Sequence, residues 1–76
     1  MKFGNTYSVA NKVKGHFAVG YLRDDQTLEI HYRGVKCDIS VKNVVDHEVE
    51  LTSVEFEEKL INTYKETKKT IKNKKR

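Results

Sequence analysis

LEIHYRGVKCDISV, running from Leu28 to Val41, decides the fold because it holds two alternating runs and the turn that joins them. Leu28, Ile30 and Tyr32 alternate with Glu29, His31 and Arg33, and Val35, Cys37, Ile39 and Val41 alternate with Lys36, Asp38, Ser40 and Lys42. A period of two marks strands with one buried face. Arg33-Gly34 is an even-length loop in which Gly34 is free to take a positive φ, so Tyr32 is expected opposite Val35 and Ile30 opposite Cys37.

Working outward, Phe3, Tyr7, Val9 and Val13 fall on odd positions, and Phe17, Val19 and Tyr21 keep that parity between Gly15 and Asp24-Asp25. Facing residues on paired strands point to the same side, so the switch to even positions at Asp24-Asp25 sets Tyr21 opposite Leu28. Downstream, Val45, His47, Val49 and Leu51 alternate with Asp46, Glu48, Glu50 and Thr52. They share parity with the preceding strand, which calls for an odd loop, Lys42-Asn43-Val44, with Asn43 left-handed. The reading is five strands, with Ile30, Cys37 and Val49 in one apolar row and His47 opposite Ile39.

After Thr52 the period changes. Thr52-Ser53-Val54-Glu55 is a capping box. Phe56, Leu60, Ile61, Tyr64 and Ile71 then recur at helical spacing, with acids at the start of the segment and lysines at its end, as the helix macrodipole favours. The apolar stripe thins after Tyr64. The expected fold is α+β: a small antiparallel sheet of four or five strands, with a partial barrel as one form of it, covered by one C-terminal amphipathic helix. Residues 1–64 read as the sheet-plus-helix domain and 65–76 as a basic extension.

A chain of 76 residues makes one domain and buries only about 60% of its unfolded surface, leaving little room for a deep cleft. The single cysteine, Cys37, excludes an internal disulfide, and MKFGNTYSV at the N-terminus has no apolar run of signal or span length. A cytoplasmic protein is expected. No phosphate loop, nucleophile elbow or His-Glu metal motif occurs, so no enzyme and no cofactor are expected. His16, His31, His47 and Cys37 lack paired metal-ligand spacing, and Cys37 reads as a small buried hydrophobe.

Charge is segregated. Residues 1–64 carry eight basic and ten acidic side chains, a net −2, whereas 65–76 carry seven basic and one acidic, a net +6. Lys65, Lys68, Lys69, Lys72, Lys74, Lys75 and Arg76 are the nucleic-acid-binding candidates, since clustered cations neutralise phosphates and release counterions. The same composition also makes a solvated, dipole-complementing terminus that keeps a small protein soluble. With no aromatic residue among 65–76, any contact made there is expected to be indifferent to sequence, and Ile71 alone offers too little apolar area for membrane insertion. The expected register also lines up Glu29, Asp38 and Glu48 on the open face of the sheet. These three carboxylates are either a solvated row or a docking strip for a basic protein.

Two short stretches carry resemblances. KGHFAVGY, Lys14 to Tyr21, resembles the ribonucleoprotein octamer at Lys14, Gly15, Val19 and Tyr21, and LEIHY, Leu28 to Tyr32, is similar to the second aromatic strand of cold-shock domains. That likeness implies a small barrel with His16, Phe17, His31 and Tyr32 as base-stacking candidates, although Phe17 and Tyr32 fall on the expected core face and His16 and His31 on the other. YRGVKCDISVKNVV, Tyr32 to Val45, followed by a helix, resembles the SH3-like barrel of small archaeal chromatin proteins, whose DNA-binding face is cationic where this chain has acids. The functional expectation is a small accessory or regulatory protein that associates with nucleic acid, or with machinery on it, through its lysine-rich end. The alternative is a protein-binding inhibitor or adaptor, of the mobile-element or phage type, acting through the acidic face or a strand edge.

Overall fold

The hairpin centred on Arg33-Gly34 forms as its alternation dictates. In the computed structural model, which describes residues 1–74 and their side chains through Lys69, β4 (Thr27–Tyr32) pairs antiparallel with β5 (Val35–Ser40). The register sets Ile30 against Cys37 and Tyr32 against Val35. Arg33 and Gly34 have φ of 52° and 79°, the two positive values that a two-residue turn needs to follow the strand twist.

Around this hairpin, β2 (Ser8–Val13) and β3 (His16–Asp24) complete a four-stranded antiparallel sheet in the order β2-β3-β4-β5. A second sheet pairs β1 (Lys2–Gly4) with β6 (Glu48–Glu50), and α1 (Ser53–Lys74) closes the core. The fold is α+β and is not closed into a barrel.

Three departures from the expected register have physical causes. Lys14 and Gly15 form a two-residue turn with φ of 52° and 83°, so β2 and β3 pair Val13 with His16, Asn11 with Ala18 and Val9 with Gly20. An even turn reverses parity. The core face of β3 is therefore Ala18, Gly20 and Leu22, while Phe17 is 65% exposed and Val19 38%. Leu22, not Tyr21, lies opposite Leu28, and a bulge between Leu22 and Asp24 restores the path into the next turn.

The segment expected as one N-terminal strand breaks at Asn5–Tyr7. Phe3 leaves the larger sheet and pairs with Val49, so β6 runs beside β1 and not beside β5. His47, expected on the core row, instead occupies a turn with Asp46, both at positive φ, between the bridged Val45 and Glu48. Its exposed imidazole lies 3.2 Å from Asp25 Oδ1. Asn43 does take the left-handed conformation, at φ 60°.

The swap of faces in β3 has a packing reason. The fully buried Phe3 ring crosses over Gly20, where a Cβ would lie 3.2 Å from Phe3 Cε2 and 3.0 Å from Ile30 Cγ1. Small residues face inward because another element fills the space. Gly20→Val is expected to cost about 1–3 kcal/mol through overpacking, whereas Val19→Thr on the outer face should change stability by less than about 0.5 kcal/mol. Urea denaturation midpoints of the two variants check the assignment; equal losses would contradict it.

The helix starts where its capping box lies. The Glu55 amide donates to Thr52 Oγ1 at 3.0 Å, and the Thr52 amide donates to Glu55 Oε1 at 3.0 Å. The hydrogen bonds with Thr52 hold the Glu55 carboxyl below its ordinary range. Phe56 and Leu60 are buried, Ile61 and Tyr64 partly so, and the Phe56 ring stacks on Phe3 with centroids 5.4 Å apart. Thr52→Ala should cost about 1 kcal/mol, read as a lowered thermal midpoint, while the Glu55 carboxyl stays low because the backbone amide of residue 52, the main cause of its shift, is retained.

Candidate functional site

Among the described side chains the apolar contacts of α1 end at Tyr64, and the cationic run begins at the next residue. Lys65, Lys68 and Lys69 are exposed, and among the described residues none of them forms an ion pair. Lys68 Nζ lies 5.5 Å from the centroid of the Tyr64 ring. Lys72, Lys74, Lys75 and Arg76 lie outside the residues whose side chains are described.

Two further cations share this end of the molecule. In the order β2-β3-β4-β5, the Lys14-Gly15 and Arg33-Gly34 turns fall at one end of the sheet, and the turn after Asp24 falls at the other. Arg33 Cζ is 5.7 Å from the Tyr64 centroid. Between the two turns and α1 opens a groove of about 260 Å³ into which Lys14, Arg33 and Lys65 converge, with no carboxylate in its lining. Its floor is aromatic. Tyr64 meets the buried Tyr32 edge-on at 5.0 Å, His16 meets Tyr32 edge-on at 6.2 Å, and the Tyr32 hydroxyl donates to the Val13 carbonyl at 2.9 Å. The floor is thus fixed by packing and one buried hydrogen bond, while the cations above it reach solvent.

The opposite end carries a group of acids. Asp24 and Asp25 sit there, and the contact of His47 with Asp25 brings the Asp46-His47 turn beside them. The Gln26 amide donates to Asp24 Oδ1 at 2.8 Å, the main reason that carboxyl is held low. Lys42 also lies at this end, since the preceding Val41 amide donates to the Gln26 carbonyl, whereas Lys14 and Arg33 of the body add to the cations of the helix end.

The expected three-carboxylate row is not assembled. Glu29 and Asp38 are cross-strand neighbours, but Glu48 pairs with Gly4 in the other sheet, where it accepts a hydrogen bond from the Tyr7 hydroxyl at 3.0 Å and lies 3.6 Å from Lys2 Nζ. The reason is the departure of β6 from β5. Arg23 Nη1 bridges Glu29 and Asp38, 3.4 Å from each, and His31 Nε2 lies 2.8 Å from Glu29 Oε2. The hydrogen bond with His31 holds the buried Glu29 carboxyl low, against its desolvation. The Glu29–Asp38 repulsion is answered within the sheet.

Of the four aromatic positions named by resemblance, Phe17 and His31 lie on the open face and His16 and Tyr32 on the helix side, so Phe17 and His16 both reverse their expected places. Lys12 Nζ stands 5.1 Å over the Phe17 ring. Cys37 is buried, and burial, with the Asp38 charge second, pushes its thiol up. Among the described residues no three His, Cys, Asp or Glu side chains are grouped to hold a metal ion, and no helix is long and apolar enough to cross a membrane. Sequence reasoning missed Lys14, Arg33 and Tyr64. The signal was present in the two X-Gly turns of the sheet, which a meander brings to the same end. Comparison with protein-family models, curated proteins and solved structures finds no match.

Proposed function

We propose that this protein is a small, non-catalytic cytoplasmic factor that associates with nucleic acid, or with machinery assembled on it, through its cationic pole. One observation carries the reading: among the described residues, exposed lysines without ion-pair partners follow directly on the apolar contact of Tyr64 in α1, at the end of the molecule that also bears Lys14 and Arg33. Cations that protein carboxylates do not neutralise remain available to an incoming polyanion, whose condensed counterions they displace.

The mechanism is electrostatic positioning. Lysines along the helix end take the place of the counterions on the phosphates, and the absence of aromatic side chains in 65–76 leaves the contact indifferent to base identity. Asp24, Asp25 and Asp46 at the opposite end disfavour contact with phosphates there. Fluorescence anisotropy with generic duplex DNA and single-stranded RNA tests the reading. Engagement of about five phosphates on a single strand predicts a loss of roughly 100-fold in affinity between about 50 and 200 mM salt. Binding that ignores salt, or no binding at low salt, would refute it.

A further inference from the structure

We infer that the groove between the Lys14-Gly15 turn, the Arg33-Gly34 turn and α1 is a phosphate subsite, which seats a backbone phosphate of the nucleic acid that the helix end engages. This rests on the proposed function and deepens it by extending the contact from the helix onto the body of the domain.

Three features carry the inference. First, the cations come from three separated points of the chain, and the fold brings them into one concavity of about 260 Å³. Like charges gathered in a concave space repel one another, and an anion placed among them relieves that repulsion. Second, no carboxylate lines the groove and none of the three cations is ion-paired among the described residues. Two acids of the helix, Glu57 and Glu58, lie instead with Lys14 around a separate depression that shares Ile61 with the groove. Third, the site is preorganised. Arg33 is held over the Tyr64 ring, and Lys14 and Arg33 each open a two-residue turn whose backbone is constrained at positive φ. A guanidinium at such a position offers a planar fork of donors that fits two phosphate oxygens, with the ammonium groups of Lys14 and Lys65 as point charges beside it.

The backbone at these turns gives a clean test. Lys14 and Arg33 both sit at φ 52° before a glycine, and Asn-Gly is the pair most favoured in such turns. The double variant Lys14→Asn/Arg33→Asn therefore removes two charges while keeping the hairpins. With a fluorescent single-stranded oligonucleotide, it should bind more weakly than wild type, and its salt slope should be shallower by about 0.7 for each phosphate that is no longer neutralised. An unchanged affinity and slope, with the helix-end lysines intact, would overturn the subsite.

An NMR titration with inorganic phosphate separates this inference from the broader reading. Wild-type amides of Gly15 and Gly34 should shift with phosphate, and those of the double variant should not. If those shifts appear while no oligonucleotide binds, the nucleic-acid occupant is overturned and the proposed function fails with it. If oligonucleotide binds but the shifts are absent and the variant matches wild type, the groove alone is refuted.

Discussion

Replacing Phe56 with alanine is expected to leave the domain close to unfolding at room temperature. A buried Phe→Ala change costs about 3–5 kcal/mol, and a chain of 76 residues has about 4–11 kcal/mol of stability in total, at the usual value per residue. Phe56 is 1% exposed and stacks on Phe3, with ring planes inclined by 25°. Phe3 in turn fills the space over Gly20 and anchors the pairing of β1 with β6. Loss of one ring therefore withdraws support from the helix, the small sheet and the centre of the large sheet together. Phe56→Leu keeps most of the volume and should cost less than about 1.5 kcal/mol. Circular dichroism melts of the two variants decide the matter. A Phe56→Ala midpoint equal to that of wild type would mean that α1 does not close the core through this contact.

The largest functional effect is expected from neutralising the helix end in the intact chain. Changing Lys65, Lys68, Lys69, Lys72, Lys74, Lys75 and Arg76 together to glutamine keeps residues of high helix propensity while removing seven charges. Affinity for generic nucleic acid should fall by about 100-fold or more near 100 mM salt, and the salt slope should flatten accordingly. The fold should persist, because Phe56, Leu60, Ile61 and Tyr64, which pack α1 on the core, are left unchanged; the loss of charge–dipole complementarity costs about 0.3–1 kcal/mol per favourable exposed charge at most, less under salt screening. Unchanged affinity in a folded variant would eliminate the helix end as the contact.

Much of the architecture was legible because local chemistry leaves few choices. The Val35–Ser40 alternation, the Arg33-Gly34 turn and the Thr52–Glu55 capping box each use residues a few positions apart, and each forms as read. The faces of β3 were misread because hydrophobic size is a poor guide where another element supplies the packing. Phe17, Val19 and Tyr21 look like an inner face, yet Ala18 and Gly20 are the buried residues, and Gly20 leaves room for Phe3 and Ile30. The acidic row failed for a related reason. It depended on β6 lying beside β5, and Glu48 moved to the other sheet when Val49 found Phe3 as its partner.

Charge order along the chain, strand and helix periods, and turn chemistry are written in consecutive residues, since each depends on interactions within a few positions. A reader of the primary structure alone would thus identify the α+β class and the cationic terminus. The partner of β6, the inward face of β3 and the convergence of Lys14, Arg33 and Lys65 on one groove are long-range outcomes. They arise when Phe3 and Phe56, 53 residues apart, stack in the buried space over Gly20, and only the assembled core brings those rings together.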